Sequence, residues 1–180
     1  MMPDPVVTQM VAAALAMLLL IGAWQKLRDL AGFGAALAAY ELLPASLLGV
    51  VAWTLPAIEA LAGLTLVIDY TRPLGVVLAS GLLVIVTSAV VVNLLRGRTD
   101  LNCGCGGIED EQTLSWSLVA RNAVLLALIG LCALTPDTRT LLWLDYVSVA
   151  AGACCLYGLY AMANQMAANQ PRLMRLRRLA

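Results

Sequence analysis

A chain of 180 residues that is 62% apolar, with 12% charged residues and a mean hydropathy of +0.88, carries more apolar side chain than a soluble domain of this size can hide. Eleven basic residues balance eleven acidic ones, no glycine-rich phosphate loop stands at a strand-to-helix junction, and nothing indicates nucleic-acid binding. There is no histidine, which removes histidine acid/base chemistry, serine hydrolase triads, histidine metal ligands and histidine-ligated haem.

About 20 mostly apolar residues cross the core of a bilayer. Pro5 to Gln25 reaches that length without a charge. Residues 1–10 hold no Lys or Arg, so this first span lacks the basic start of a signal peptide and is expected to be retained. Leu30 to Tyr40 is apolar but too short to cross, and reads as an interfacial or re-entrant piece. Leu47 to Ile68 is apolar except for Glu59 and forms the second span. Pro73 to Leu95 is uncharged and forms the third, opened by Arg72-Pro73, since proline suits a first helical turn. Leu114 to Thr135, the fourth, is apolar except for Arg121; Thr113 or Ser115 can cap it, and Thr135-Pro136-Asp137 closes it. Tyr146 to Pro171 is uncharged and forms the fifth, with Trp143 and Tyr146 at an aromatic belt. The expected fold is an all-α membrane protein, a bundle of about five transmembrane helices with a Cys-Gly-Cys loop between the third and fourth. Residues 1–170 form one multi-pass domain and 171–180 a basic juxtamembrane tail facing anionic lipid.

With five spans the connections alternate between two sides. The side holding the loop after the first span, the Cys-Gly-Cys loop and the tail collects nine basic residues, and the other side two, Arg72 and Arg139. By charge alone the cysteine loop faces the cytoplasm.

The loop reads RGRTDLNCGCGGIEDEQ, Arg96 to Gln112. One residue separates Cys103 from Cys105, so their α-carbons fall within disulfide range and the ring they close is small and strained. A strained, exposed disulfide exchanges more readily than a structural one. Gly104, Gly106 and Gly107 permit the tight backbone. Arg96, Arg98 and the next helix's dipole lower a thiol pKa there, while Glu109, Asp110 and Glu111 raise it. Three readings follow from these residues: thiol–disulfide exchange, Cu(I) binding by two thiolates, and an inert glycine turn. Cys132, Cys154 and Cys155 lie within spans and read as small apolar residues, with a second redox pair at Cys154 and Cys155 as the alternative.

Glu59 stands near the middle of the second span, where an ionisable group implies function or a buried partner. Arg121, one turn into the fourth span, is the candidate partner, in a structural clasp or in a catalytic or proton-relay role. Asn93 and Asn122 are candidates for the same polar cluster.

The segments GAWQKLRD (Gly22–Asp29), YELLP (Tyr40–Pro44), LPAIEALAG (Leu55–Gly63), NLLRGRTDLNCGCGG (Asn93–Gly107) and LSWSLVARN (Leu114–Asn122) together resemble the MauE family, methylamine-utilisation membrane proteins related to the DoxX-like group. The resemblance covers most of residues 20 to 130 and departs from the family at Gly106, where phenylalanine is frequent. It implies a multi-pass helical protein of the bacterial inner membrane that assists maturation of the methylamine dehydrogenase small subunit, a periplasmic, disulfide-rich protein. It also implies a thioredoxin-like, MauD-like partner. The family's Cys-Gly-Cys falls on Cys103 and Cys105, and its polar helix pair on Arg121 and Asn122.

The sequence thus points to a membrane thiol–disulfide redox protein in which Cys103 and Cys105 exchange disulfides and Glu59 and Arg121 hold or tune the site. Membrane thiol oxidation needs an electron acceptor of the quinone type, although no residue in the sequence identifies one. A Cu(I)-handling protein and a non-catalytic assembly scaffold are the alternatives. A periplasmic client calls for cysteines outside the cytoplasm, and the charge count calls for them inside.

Overall fold

The computed structural model describes residues 4–99, 101, 113–134 and 142–179, with side chains through residue 166. Among these residues six helices follow one another: α1 (Pro5–Arg28), α2 (Leu30–Ala39), α3 (Ala45–Val67), α4 (Arg72–Leu95), α5 (Trp116–Cys132) and α6 (Trp143–Leu179). Asp4 starts α1 by accepting a bond from the Val6 N–H at 2.8 Å, with Pro5 in the first turn. Lys26 and Arg28 occupy its last turn, where the helix dipole favours cations. Asp29 then caps α2 through the Gly32 N–H at 2.9 Å.

Among the described residues four helices, α1, α3, α4 and α6, are long and apolar enough to cross a bilayer. The outward sides of α3 and α4 are apolar: Val50, Trp53, Leu61 and Leu64, then Val77, Val84 and Ile85, are all exposed. Side chains of this kind facing outward mark hydrocarbon as the surrounding solvent. Trp24 and Trp116 stand exposed toward one end of the bundle, and Tyr70, Trp143 and Tyr146 toward the other.

Two of the expected pieces are short helices. The fourth expected span, Leu114 to Thr135, contains a helix of 17 residues, α5, about 25 Å long at 1.5 Å per residue. Four of the described helices qualify as spans by length and composition, and the sequence reading of about five counts α5 with them. The short Leu30–Tyr40 piece is the helix α2, which buries none of its residues. Its ten residues cannot cross, as the sequence implied.

α1 is the hub. It packs against α3, α6 and α5, while α3 continues onto α4 and α4 onto α5. The main core joins Leu15, Ala16 and Leu19 of α1 to Ala62 and Leu66 of α3 and to Leu125 and Ile129 of α5. Small residues set the spacing, because lipid offers no hydrophobic drive and close approach has to supply the contact energy. A Cβ on Gly63 would lie 3.2 Å from the Ala16 carbonyl oxygen. A Cβ on Gly75 would lie 2.6 Å from the Leu66 amide nitrogen, which is backbone and cannot turn aside. Gly75→Ala is therefore expected to part α3 from α4 and cost about 1–3 kcal/mol. Gly81→Ala, where a Cβ meets nothing within 4 Å, is the control. Thermal unfolding in detergent should show a lowered midpoint for the first variant and an unchanged or raised one for the second.

Candidate functional site

A second apolar cluster lies where the chain enters and leaves the segment of Cys103 and Cys105. It joins Tyr40, after α2, to Val90 of α4 and to Leu114 and Leu118, with Leu101 packed against it. α4 ends in a paired cap: Gly97, at φ +75°, donates its N–H to Leu94 O at 3.0 Å, and Arg98 donates its N–H to Asn93 O at 3.0 Å. The cap turns Arg98 back to Glu41, whose Oε2 lies 2.6 Å from Nη2. Glu41 holds φ +50°, a left-handed conformation uncommon for a residue with a Cβ. The Leu114 N–H donates to Leu101 O at 3.0 Å, so the chain returns to the point it left. Cys103 and Cys105 lie outside the described residues; both ends of their segment are fixed at this cluster.

The Arg98 hydrogen bond, and then its charge, hold the Glu41 carboxyl below its ordinary value. A carboxyl lowered in the folded state contributes stability above its unfolded value and loses it as pH falls through the folded one. The tie should hold at neutral pH and open under acid. Amide hydrogen exchange at Leu114 should therefore accelerate on acidification beyond the intrinsic pH trend, and Glu41→Gln should abolish that excess.

Further along the same helices lies a cavity of about 440 Å³. α1, α3, α4, α5 and α6 all contribute to its wall. Leu118 of the cluster and Asn122 of the cavity are one turn apart on α5, as are Val90 and Val86 on α4, a separation of about 6 Å along each axis.

Two polar groups face this cavity. In the first, Lys26 Nζ donates to Glu59 Oε2 at 2.5 Å, with the two side chains only 11% and 12% exposed. The ammonium also stands 5.9 Å from the centre of the Phe33 ring, which brings α2 to the pair. Gly22 makes room, since a Cβ there would meet Glu59 Oε1 at 3.0 Å. Pro56, one turn before Glu59 and fully buried, removes the N–H that would bond the Ala52 carbonyl. In the second group, Arg121 Nη1 donates to Asn164 Oδ1 at 2.7 Å, and its guanidinium lies 6.0 Å from the Tyr160 ring centre. Arg121 also donates to Asn122 Oδ1, and Asn122 Nδ2 donates to Thr87 Oγ1 at 2.9 Å. This chain ties α6, α5 and α4 together.

Glu59 and Arg121 thus share one cavity, but they are not partners. Glu59 is bonded by Lys26, where the sequence suggested Arg121. The cause is topology: α3 packs on α1 and α4, and Arg121 stands on α5. Asn122 joins the cluster. Asn93 does not: it is wholly buried, its Nδ2 donates to Ala89 O within its own helix, and its Oδ1 has no partner among the described residues. Cys132 is buried in the main core, as a small apolar residue would be. Cys154 and Cys155 are free and exposed on α6. Thr87, Tyr160 and Asn164 gave no signal in the sequence, being uncharged residues within long apolar runs. Lys26 did give one: it is the only lysine in the chain, level with a glycine one turn earlier.

Residues 4–135 match the family model described as "Methylamine utilisation protein MauE". A methylamine utilization protein MauE from Methylorubrum extorquens is 41% identical over 137 residues, 76% of this chain and 74% of that protein. The one from Paracoccus denitrificans is 36% identical over 142 residues, 76% of each chain. The one from Paracoccus versutus is 32% identical over 164 residues, 91% of this chain and 88% of that protein. No solved structure gives a significant match.

Proposed function

We propose, for a chain that belongs to the MauE family of methylamine utilisation proteins, that Cys103 and Cys105 form an exchangeable disulfide in the bacterial inner membrane. The pair serves disulfide formation in the small subunit of methylamine dehydrogenase through a thioredoxin-like partner. The observation that carries this reading is the fixing of both ends of the cysteine segment, by the Leu114–Leu101 hydrogen bond and the Arg98–Glu41 ion pair, at a cluster whose Leu118 and Val90 stand one turn from a cavity lined by polar and apolar groups.

In the exchange, a thiolate of the reduced partner attacks one sulfur of the Cys103–Cys105 disulfide. The S–S bond breaks, a mixed disulfide forms and the other loop sulfur leaves as a thiolate. The partner's second thiol then displaces the loop cysteine. The partner ends oxidised by two electrons and the loop ends as a dithiol. Arg96 and Arg98 favour the leaving thiolate. Glu59 and Arg121 act at a distance, by fixing the helices that carry the loop's two ends.

Thiol labelling tests the resting state. In a variant lacking Cys132, Cys154 and Cys155, a membrane-impermeant maleimide should label Cys103 and Cys105 only after reduction. Intact cells and everted vesicles compared side by side assign the face. Equal labelling without reductant would show a resting dithiol and contradict the proposal.

A further inference from the structure

We propose that the cavity beside the loop cluster is the headgroup site of a membrane-borne benzoquinone, which accepts the electrons released when Cys103 and Cys105 close their disulfide. This rests on the exchange role proposed above and supplies the oxidant it requires.

Four observations select that ligand class. First, the site is reached from lipid. α5 and α6 both line the cavity, yet among the described residues they share no extended packed interface. The Arg121–Asn164 hydrogen bond and the Arg121–Tyr160 ring contact bridge them. A lateral gap crossed by side chains admits a molecule dissolved in the bilayer. Second, the lining is two-sided. Leu18, Leu82, Leu83 and Leu125 offer apolar wall, while Lys26, Arg121 and Asn122 bring cationic and amide groups to the same space. A flat ring bearing carbonyl acceptors on an isoprenoid stem matches that division. Third, about 440 Å³ holds a substituted ring and the first isoprene units, within the range of small-molecule sites. Fourth, charge favours reduction. The Arg121 guanidinium, held by Asn164 and Asn122, brings N–H donors to the wall where negative charge develops on a reduced ring.

The chemistry balances. Two S–H bonds break and one S–S bond forms as the dithiol loses two electrons and two protons. The quinone gains the same two electrons, and both protons end on its carbonyl oxygens to give the quinol. Leu118 and Val90 of the loop cluster stand one turn from Asn122 and Val86 of the cavity wall, on α5 and α4.

Photo-crosslinking with an azido-substituted short-chain ubiquinone in phosphatidylcholine nanodiscs tests the site. Label is expected on peptides holding Arg121–Leu125 or Tyr157–Gln165, and excess decylubiquinone should compete it away. The Cys103→Ser/Cys105→Ser protein should label equally, because binding needs no thiol. Arg121→Gln should weaken competition roughly tenfold, the loss of one charged hydrogen-bond donor. Ala161→Trp fills the cavity from α6 without removing a charge and should abolish the label. Label scattered over outward helix faces, label not competed by decylubiquinone, or full labelling of Ala161→Trp would each overturn the site. Because the double-serine protein is included, a failure here is distinct from a failure of thiol exchange.

Discussion

Replacing Lys26 with methionine, or Glu59 with leucine, is expected to lower the stability of the folded chain by about 3–5 kcal/mol, while the double replacement recovers most of that loss. The pair meets at 2.5 Å with both side chains nearly closed off from solvent, so little screening softens it. Removing one partner leaves the other charge uncompensated inside an apolar bundle. Removing both leaves apolar groups of similar volume among Leu55, Leu18 and Ile21, which line the same wall. The two single variants should also differ. Lys26 belongs to the last turn of α1 and has a long stem, so after Glu59→Leu it can swing toward the interface. Glu59 is short and stands well inside α3, so Lys26→Met should be the more damaging. Unfolding of detergent-solubilised protein, followed by circular dichroism, gives all three values. Single variants within about 0.5 kcal/mol of the parent would place the pair among surface contacts of little consequence.

The Cys103→Ser/Cys105→Ser variant is expected to reduce accumulation of active methylamine dehydrogenase, and growth on methylamine, to the level of a strain lacking the gene. The variant protein itself should still insert and fold. Its stability derives from the α1-centred core and from the loop cluster of Tyr40, Val90, Leu114 and Leu118. Each serine removes a nucleophile while keeping nearly the same volume, so a loss of maturation reads chemistry rather than packing. Retained growth would assign the chain a scaffolding role. Bound copper in the purified parent, lost in this variant, would assign it a metal-handling one.

The helices were legible in the sequence because their signal is compositional. An uncharged run such as Pro73 to Leu95 has few alternatives to a buried or lipid-embedded helix, and α4 runs from Arg72 to Leu95. The aromatic start of α6 at Trp143 and the short length of α2 follow from the same reading. The end of α5 at Cys132 was not legible, because apolar residues continue past the helix and hydropathy does not mark where hydrogen bonding stops. Pairing was the larger gap. A sequence orders charges along the chain but does not say which helices are neighbours. Glu59 and Arg121 were the two obvious charges within spans, whereas Lys26 seemed to belong to a helix end. Only the packing of α1 on α3 brings that helix end level with Glu59. The Arg98–Glu41 tie was hidden for the same reason, since a turn after α2 and a cap after α4 meet only once the bundle forms.

The exchange chemistry of Cys103 and Cys105 is tested most directly by trapping its intermediate. Membranes from cells carrying Cys103→Ser or Cys105→Ser, quenched with acid and alkylated, should show one of the two variants in a covalent complex with a thioredoxin-like protein. Reductant should dissolve that complex, and the double variant should lack it. If neither single variant yields an adduct while the dehydrogenase subunit continues to mature, these sulfurs take no part in thiol–disulfide exchange.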